Sequence, residues 1–394
     1  MRKIIFAFLI ILLFIPATAL AQEDEQEEKV DTGVLVEEIL EQIDTYDLES
    51  IIGEINNEIG EYLPKLNLKD LMSSITKGEF NLSIKDFFIG IGRYLFNELI
   101  NNSGLLARII LLSIICAILQ NLQNSFESKA VGELAYNVVY FVILGIAIQS
   151  FATAIKVGVD SIDNMVTFMH ALLPTIIILL TSMGALVSAA LFQPLITLTV
   201  SMLSTFVKNI ILPLIFFGAI LHLVNYISEK IQISKLAGLI KQISIVLLGF
   251  VFTIFLGVMA IQGVAASSFD GVTARTAKYA VDNLIPIIGG FLSDAIDTII
   301  GCSLLIKNAI GAIGLIFLFI MILFPIVKIF ALILIYKLSS AIIEPVADGR
   351  IVNSLNDMAK SLILVMAAVI SVAIMFFMVV TIIIGTGNVT VMMR

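Results

Sequence analysis

DGVTARTAKYAVDNLIPIIGGFLSDAIDTIIGCSLLIKNAIGAIGL, Asp270 to Leu315, is the stretch on which the reading of this chain turns. It opens polar, with Asp270, Arg275, Lys278 and Asp282, and becomes apolar at Leu284. It then meets Pro286, Gly289 and Gly290, carries Asp294 and Asp297, and places Lys307 before a run of membrane length. A plain spanning helix needs none of these interruptions. Charges within apolar segments are costly unless they face protein or water, and lipid does not tolerate broken backbone. The stretch is therefore expected inside a bundle or at a membrane surface, packed by other helices. Two roles stand for it: a polar re-entrant turn with a structural job, or a segment that lines a ligand site or pore.

Working outward, composition decides the solvent. Apolar residues make up 59% of the 394 and charged residues 14%, where a soluble domain carries roughly a quarter charged. The mean hydropathy is +1.07. Apolar runs long enough to cross a bilayer recur, so the expected fold is all-α: a polytopic membrane bundle of roughly six to eight spans. Cys116 and Cys302 both lie in apolar segments and read as small buried hydrophobes. No Cys or His cluster has metal-ligand spacing, so neither a metal nor a cofactor is expected.

The chain begins with a signal-peptide pattern over residues 1–21. Arg2 and Lys3 form the basic region, Ile4 to Ile15 the apolar one, and Ala19-Leu20-Ala21 the small-x-small site. Residues 22–103 form an acidic leader with 19 acidic and 6 basic residues, a net of −13. Such a charge suits an aqueous compartment or a basic protein partner and excludes nucleic acid. Apolar spacing predicts small helices there, the last starting near Ile84 after Asn81 or Ser83 as cap. With so thin a core the leader is expected to lean on the membrane core or on a partner; the alternative is a spacer whose aromatic band, Phe87, Phe88, Tyr94 and Phe96, sits at the headgroup level.

Residues 104–394 form the polytopic domain. Spans are expected at Leu105–Leu119, Leu134–Ile155, Ala171–Leu191, Ile243–Ile261, Ile310–Ile335 and Leu362–Ile384. Leu195 to Tyr226 is interrupted by Lys208, Asn209 and Pro213; it reads as one long broken helix or as a short helix followed by a span. The segments Lys156–Asn164 and Lys337–Lys360 read as polar links. An internal repeat is expected: KAVGEL at Lys129 resembles KLAGLI at Lys235. Phe192, Ser204, Lys208 and Asn209 match Phe291, Ser303, Lys307 and Asn308 at one offset of 99. The links holding Lys129; Lys230, Lys235 and Lys241; and Lys337, Arg350 and Lys360 are the basic ones, which puts them in the cytoplasm. Lys156, Arg275 and Lys278 then fall outside, with the leader.

No HExxH, GxSxG or phosphate-loop lysine is present, so no catalytic residue is assigned. His170 and His222 read as satisfied interfacial or core histidines. The candidate pore or structural polar residues are Asp294, Asp297, Lys307 and Lys208; the first two are three apart and share a helix face. Lys208 and Lys307, each followed by Asn, read as sharing one structural role. Lys230, Lys235, Lys241, Arg350 and Lys360 are the candidate docking surface for a cytoplasmic partner.

The run TARTAKYAVDNLIPIIGGFLSDAIDTIIGCSLLIKNAIG, with the signal, acidic leader and polytopic core around it, resembles the stage III sporulation protein AE family of spore-forming Firmicutes. That resemblance implies a subunit of a secretion-like channel complex in the mother-cell membrane around the forespore, with no catalysis of its own. It implies as partners the sister membrane and extracytoplasmic proteins of one sporulation operon, an ATPase-like subunit among them, and a forespore membrane protein. The competing reading is a stand-alone secondary transporter with a carboxylate-lined path, which the repeat and broken segments would suit.

Overall fold

A computed structural model describes residues 46–63, 67–76, 83–123, 129–227, 233–284 and 289–392; for 47, 58–59, 69, 73, 76, 122–123, 129–133, 263–284, 289–296 and 387–392 it describes the backbone alone. The expected signal peptide and the acidic run after it lie outside these residues. Among them the chain is helical with no strand. The elements are α1 (Tyr46–Ile59), α2 (Leu68–Thr76), α3 (Ile84–Asn101), α4 (Ser103–Gln123), α5 (Lys129–Ser182), α6 (Leu186–Phe206), α7 (Leu212–Asn225), α8 (Ser234–Leu284), α9 (Gly289–Ile343) and α10 (Gly349–Met392). A π-helical turn, Val207–Ile211, joins α6 to α7. Among the described residues six helices are long and apolar enough to cross a membrane. The chain is a multi-pass membrane protein.

The longest helices correct the sequence reading. Lys156–Asn164 is not a link. It lies inside α5, one helix of 54 residues. The reason is its facing: Lys156, Asp160 and Asn164 are exposed, while Ile162, Met165, Phe168 and Met169 between and after them are buried. A polar face on an amphipathic helix costs nothing when the opposite face packs. The expected spans Leu134–Ile155 and Ala171–Leu191 therefore begin on one helix axis. At 1.5 Å per residue α5 is about 80 Å long, against a hydrocarbon core of about 30 Å. Likewise α8 runs unbroken through Asp270 to Asp282, and only 285–288 separate it from α9. The link Lys337–Lys360 shrinks to Glu344–Asp348, because α9 continues to Ile343 and α10 starts at Gly349.

Leu186 to Asn225 is one helical run with a widened turn in it. Pro213 has no N–H and would crowd the carbonyl four residues back. The π turn before it relieves this: the Leu212 N–H reaches five residues back to the Val207 carbonyl. At the other end of the run, the α5–α6 reversal is closed by Gly184, at φ 77°, where the Ala185 N–H bonds the Leu180 carbonyl at 3.0 Å. Left-handed backbone at that position favours glycine.

Cross-helix contacts fix the order along the bundle. Near one end, Tyr136 and Tyr140 of α5 meet Asp348 and Ser354 beside α10, at 3.2 and 2.7 Å. Further along, Ser150 of α5 meets Tyr336 of α9. Beyond that, Leu172 packs on Gly314, where a Cβ would lie 2.7 Å away. So α5 and α10 run parallel, with α9 antiparallel between them. The core they share includes Phe151, Phe168, Phe192, Phe317 and Phe376, all under 2% exposed. The last turns of α4, α7 and α9 and the first turns of α5, α8 and α10 meet toward the first end, and with them Lys235, Lys241, Lys337, Arg350 and Lys360. The α5–α6 reversal at Gly184 lies toward the other end.

The leader helices pack between these ends. Ser83 caps α3 by accepting from the Asp86 N–H at 3.3 Å. Phe87 stacks on Phe319 of α9, and Tyr94 meets Phe324 edge-on at 4.7 Å. The aromatic band expected at a headgroup level is thus split. Phe87 and Tyr94 turn into the bundle, while Phe88 and Phe96 are exposed.

Candidate polar site in the bundle

The site begins with a cleft where the leader meets the bundle. It has a volume of about 810 Å³ and is lined by Glu54 and Asn57 of α1, Tyr94 of α3, Asp160, Ser161, Asn164 and Thr167 of α5, and Pro325 and Lys328 of α9. Their spacing on α5 places 160, 164 and 167 on one face. Lys328 also reaches Glu98 of α3, Nζ to Oε1 at 4.0 Å, and Asn102 donates to the other Glu98 oxygen at 3.2 Å. Glu98 is 8% exposed, so these contacts replace the water it gives up.

On the adjoining side of α5, Lys208 of the π turn pairs with Asp163 at 2.5 Å. Two residues before the turn, Thr205 ends a row at four-residue spacing: Gln193, Thr197, Ser201, Thr205. This row lies along a shallow, open groove formed by α6 alone, together with Pro194, Leu198 and Met202. His170 Nε2 and Ser201 Oγ, 3.0 Å apart, tie the groove to α5.

Lys307 is elsewhere. It is fully buried in α9, and its Nζ donates to the Ile384 carbonyl of α10 at 2.8 Å. Its neighbour one turn along, Gly311, lies against the same Ile384 side chain; a Cβ there would be 2.4 Å from it. The lysine thus clamps two helices that also touch without a gap. The two lysines read as equivalent have different surroundings, one in a half-exposed ion pair and one on a buried main-chain carbonyl. Asp297 is exposed on the same helix, ten residues and about 15 Å before Lys307. The Asp294 side chain lies outside the described residues. The structure does not gather Asp297, Lys307 and Lys208 into one place.

At the basic end, two of the candidate docking residues are engaged within the chain: Arg350 with Asp348 at 3.7 Å and Lys360 with Asp357 at 2.8 Å. Asp357 also accepts from Tyr226 at 2.8 Å and faces His222 at 4.0 Å. Lys235 is exposed and Lys241 half-buried. Lys230 lies outside the described residues. Among the described residues no group of three His, Cys, Asp or Glu is placed to hold a metal ion.

Sequence reasoning missed Asp163, Ser201 and Glu98. The four-residue row on α6 was the one signal available in advance, since it needs only a helical register.

A protein family described as stage III sporulation protein AE matches residues 66–387. The stage III sporulation protein AE of Bacillus subtilis (strain 168) is 38% identical over 377 residues, covering 95% of this chain and 94% of that protein. No solved structure matches.

Proposed function

The chain belongs to the stage III sporulation protein AE family, and from that premise we propose that it is a structural, channel-forming subunit of a complex linking the mother cell to the forespore. In this reading it sits in the mother-cell membrane around the forespore, with its leader outside the cytoplasm. It has no catalysis of its own. Energy enters through an ATPase-like subunit, and the sister membrane and extracytoplasmic proteins and a forespore membrane protein complete the assembly.

The observation that supports this best is the division of charge along the bundle. Lys235 and Lys241 in the first turns of α8, and Arg350 and Lys360 in the first turns of α10, lie toward one end, and the leader helices pack on α5 and α9 away from that end. Basic connections mark the cytoplasmic side of a membrane protein. Each region then faces the compartment where its partners sit. Lys235 and Lys241 are the part of the docking surface left open, since Arg350 and Lys360 have carboxylates beside them. Lys235→Glu with Lys241→Glu should release a cytoplasmic partner during purification while the chain stays folded. Retention of that partner by the double variant would remove the proposed surface.

A transporter acting alone has one observation in its favour, the cleft lined by Glu54 and Asp160. It gives no task to the leader helices that wall that cleft.

A further inference from the structure

The α6 groove has an arrangement that a lipid-facing helix surface lacks. Gln193, Thr197, Ser201 and Thr205 form an outward row over three helical turns, on a run whose mean hydropathy is 2.0. Beside it Leu191, Leu195, Leu198 and Met202 are exposed. The opposite face of α6 is core: Phe192 and Ile196 are fully buried and Val200 is 2% exposed. A polar path through the middle of one chain would have to displace that core. The polar row faces away from it, where the Gln193 amide and the Thr197 and Thr205 hydroxyls meet hydrocarbon only at a cost, while Ser201 is held by His170. Below the row stands the half-exposed Asp163–Lys208 pair.

We propose that copies of this chain meet along the α5–α6 face, so that Gln193, Thr197, Ser201 and Thr205 of each line a shared water-filled passage. The inference rests on the channel reading above and names the residues that wall the channel. One row is a line and encloses nothing; the site is incomplete without the other copies. The exposed leucines and Met202 supply the contact. Between Ala171 and Val207 there is no charged residue, so identical faces approach without like-charge repulsion. An uncharged hydroxyl and amide lining selects weakly by charge, which suits hydrated small polar solutes, and the Asp163–Lys208 pairs add a ring of fixed charge at one level.

The test uses full-length protein in native membranes, with single cysteines at Gln193, Thr197, Ser201 and Thr205. Val246 and Leu111, at 61% and 60% more exposed than Thr197 and Ser201, serve as lipid-facing controls whose slower labelling burial could not explain. The thiolate is the reacting form, and each unit by which an apolar setting suppresses it slows reaction about tenfold. Row cysteines should therefore react with a charged thiosulfonate about tenfold faster than the controls. A bis-maleimide should link Ser201→Cys chains into a ladder and leave Val246→Cys chains single. Labelling no faster than the controls overturns the wet row. Fast labelling without a ladder overturns the contact between copies. Co-purification of sister proteins is scored on the same samples. Its loss without any cysteine would count against the channel reading, whereas its persistence with a dry row would count against this inference alone. A variant of reduced abundance is replaced by the next position of the row, and all four failing to accumulate would also overturn an outward, water-facing row.

Discussion

Lys307 of α9 donates from its Nζ to the main-chain carbonyl of Ile384 in α10, 2.8 Å away, from a fully buried position. Such a hydrogen bond contributes about 1 kcal/mol net, and a buried polar group left without its acceptor is more costly than an apolar replacement. Lys307→Met keeps the length and loses the polar group, so it should accumulate near the normal level. Lys307→Glu puts a carboxylate against a carbonyl and should nearly abolish accumulation. Membrane immunoblotting checks both, and equal levels of the two variants would show that the clamp does not matter. A sporulation defect in Lys307→Met at normal abundance would give the lysine work beyond holding helices together.

Gly90 tests the seat of the leader. A Cβ there would lie 2.3 Å from the Tyr62 carbonyl oxygen, which is backbone and cannot swing aside, and 3.1 Å from Leu63. Gly90→Ala should cost about 1–3 kcal/mol as overpacking. Proteolysis of the leader should become faster while the membrane core survives. Gly92→Ala, with nothing within 4 Å of its Cβ, is the matched control and should behave as wild type. Equal proteolysis of the two would contradict the packing described.

The Lys208–Asp163 pair is about half exposed on the carboxylate side and a quarter on the lysine side. Solvent screening limits such a pair to about 1 kcal/mol or less. Asp163→Asn should therefore leave abundance nearly unchanged. Asp163→Lys sets two cations together and should lower it, and adding Lys208→Asp should restore it. Failure of the swap to restore would mean that the two residues do not act as a pair.

Topology is the next consequence. A cysteine at Glu58 in α1 should react with an impermeant thiol reagent in intact protoplasts, and one at Gln232, between α7 and α8, only after lysis. The opposite pattern would invert the chain in the membrane and with it every assignment of compartments.

Several of these features were legible in the sequence, and others were not. The class of fold follows from run length and scarcity of charge. The Ser83 cap and the start of α3 follow from local hydrogen bonding, which sequence records directly. The polar segment of α5 was misread because charge was taken as a sign of a loop. Lys156, Asp160 and Asn164 recur at four residues, which is a helix with one wet face, and no Gly or Pro breaks the run between Lys156 and Asn164 except Gly158. That glycine serves packing: a Cβ there would lie 3.2 Å from Val369. Pro174, Pro194 and Pro325 stand inside helices. Neighbouring helices can satisfy the backbone groups that proline frees. The partners of Lys208 and Lys307 were out of reach, because Asp163 is 45 and Ile384 is 77 positions away. Such pairings exist only once the helices stack, and no local pattern carries them.

The central claim, that this chain works as a channel-forming subunit within a sporulation complex, is tested most directly by gentle isolation from sporulating cells. Solubilised in mild detergent and captured by a tag on its full length, the chain should retain sister membrane and extracytoplasmic proteins. Reconstituted alone into liposomes, it should move no solute against an ion gradient. Capture of the chain without any sister protein, together with gradient-driven transport by the purified chain, would contradict the account and establish the lone transporter in its place.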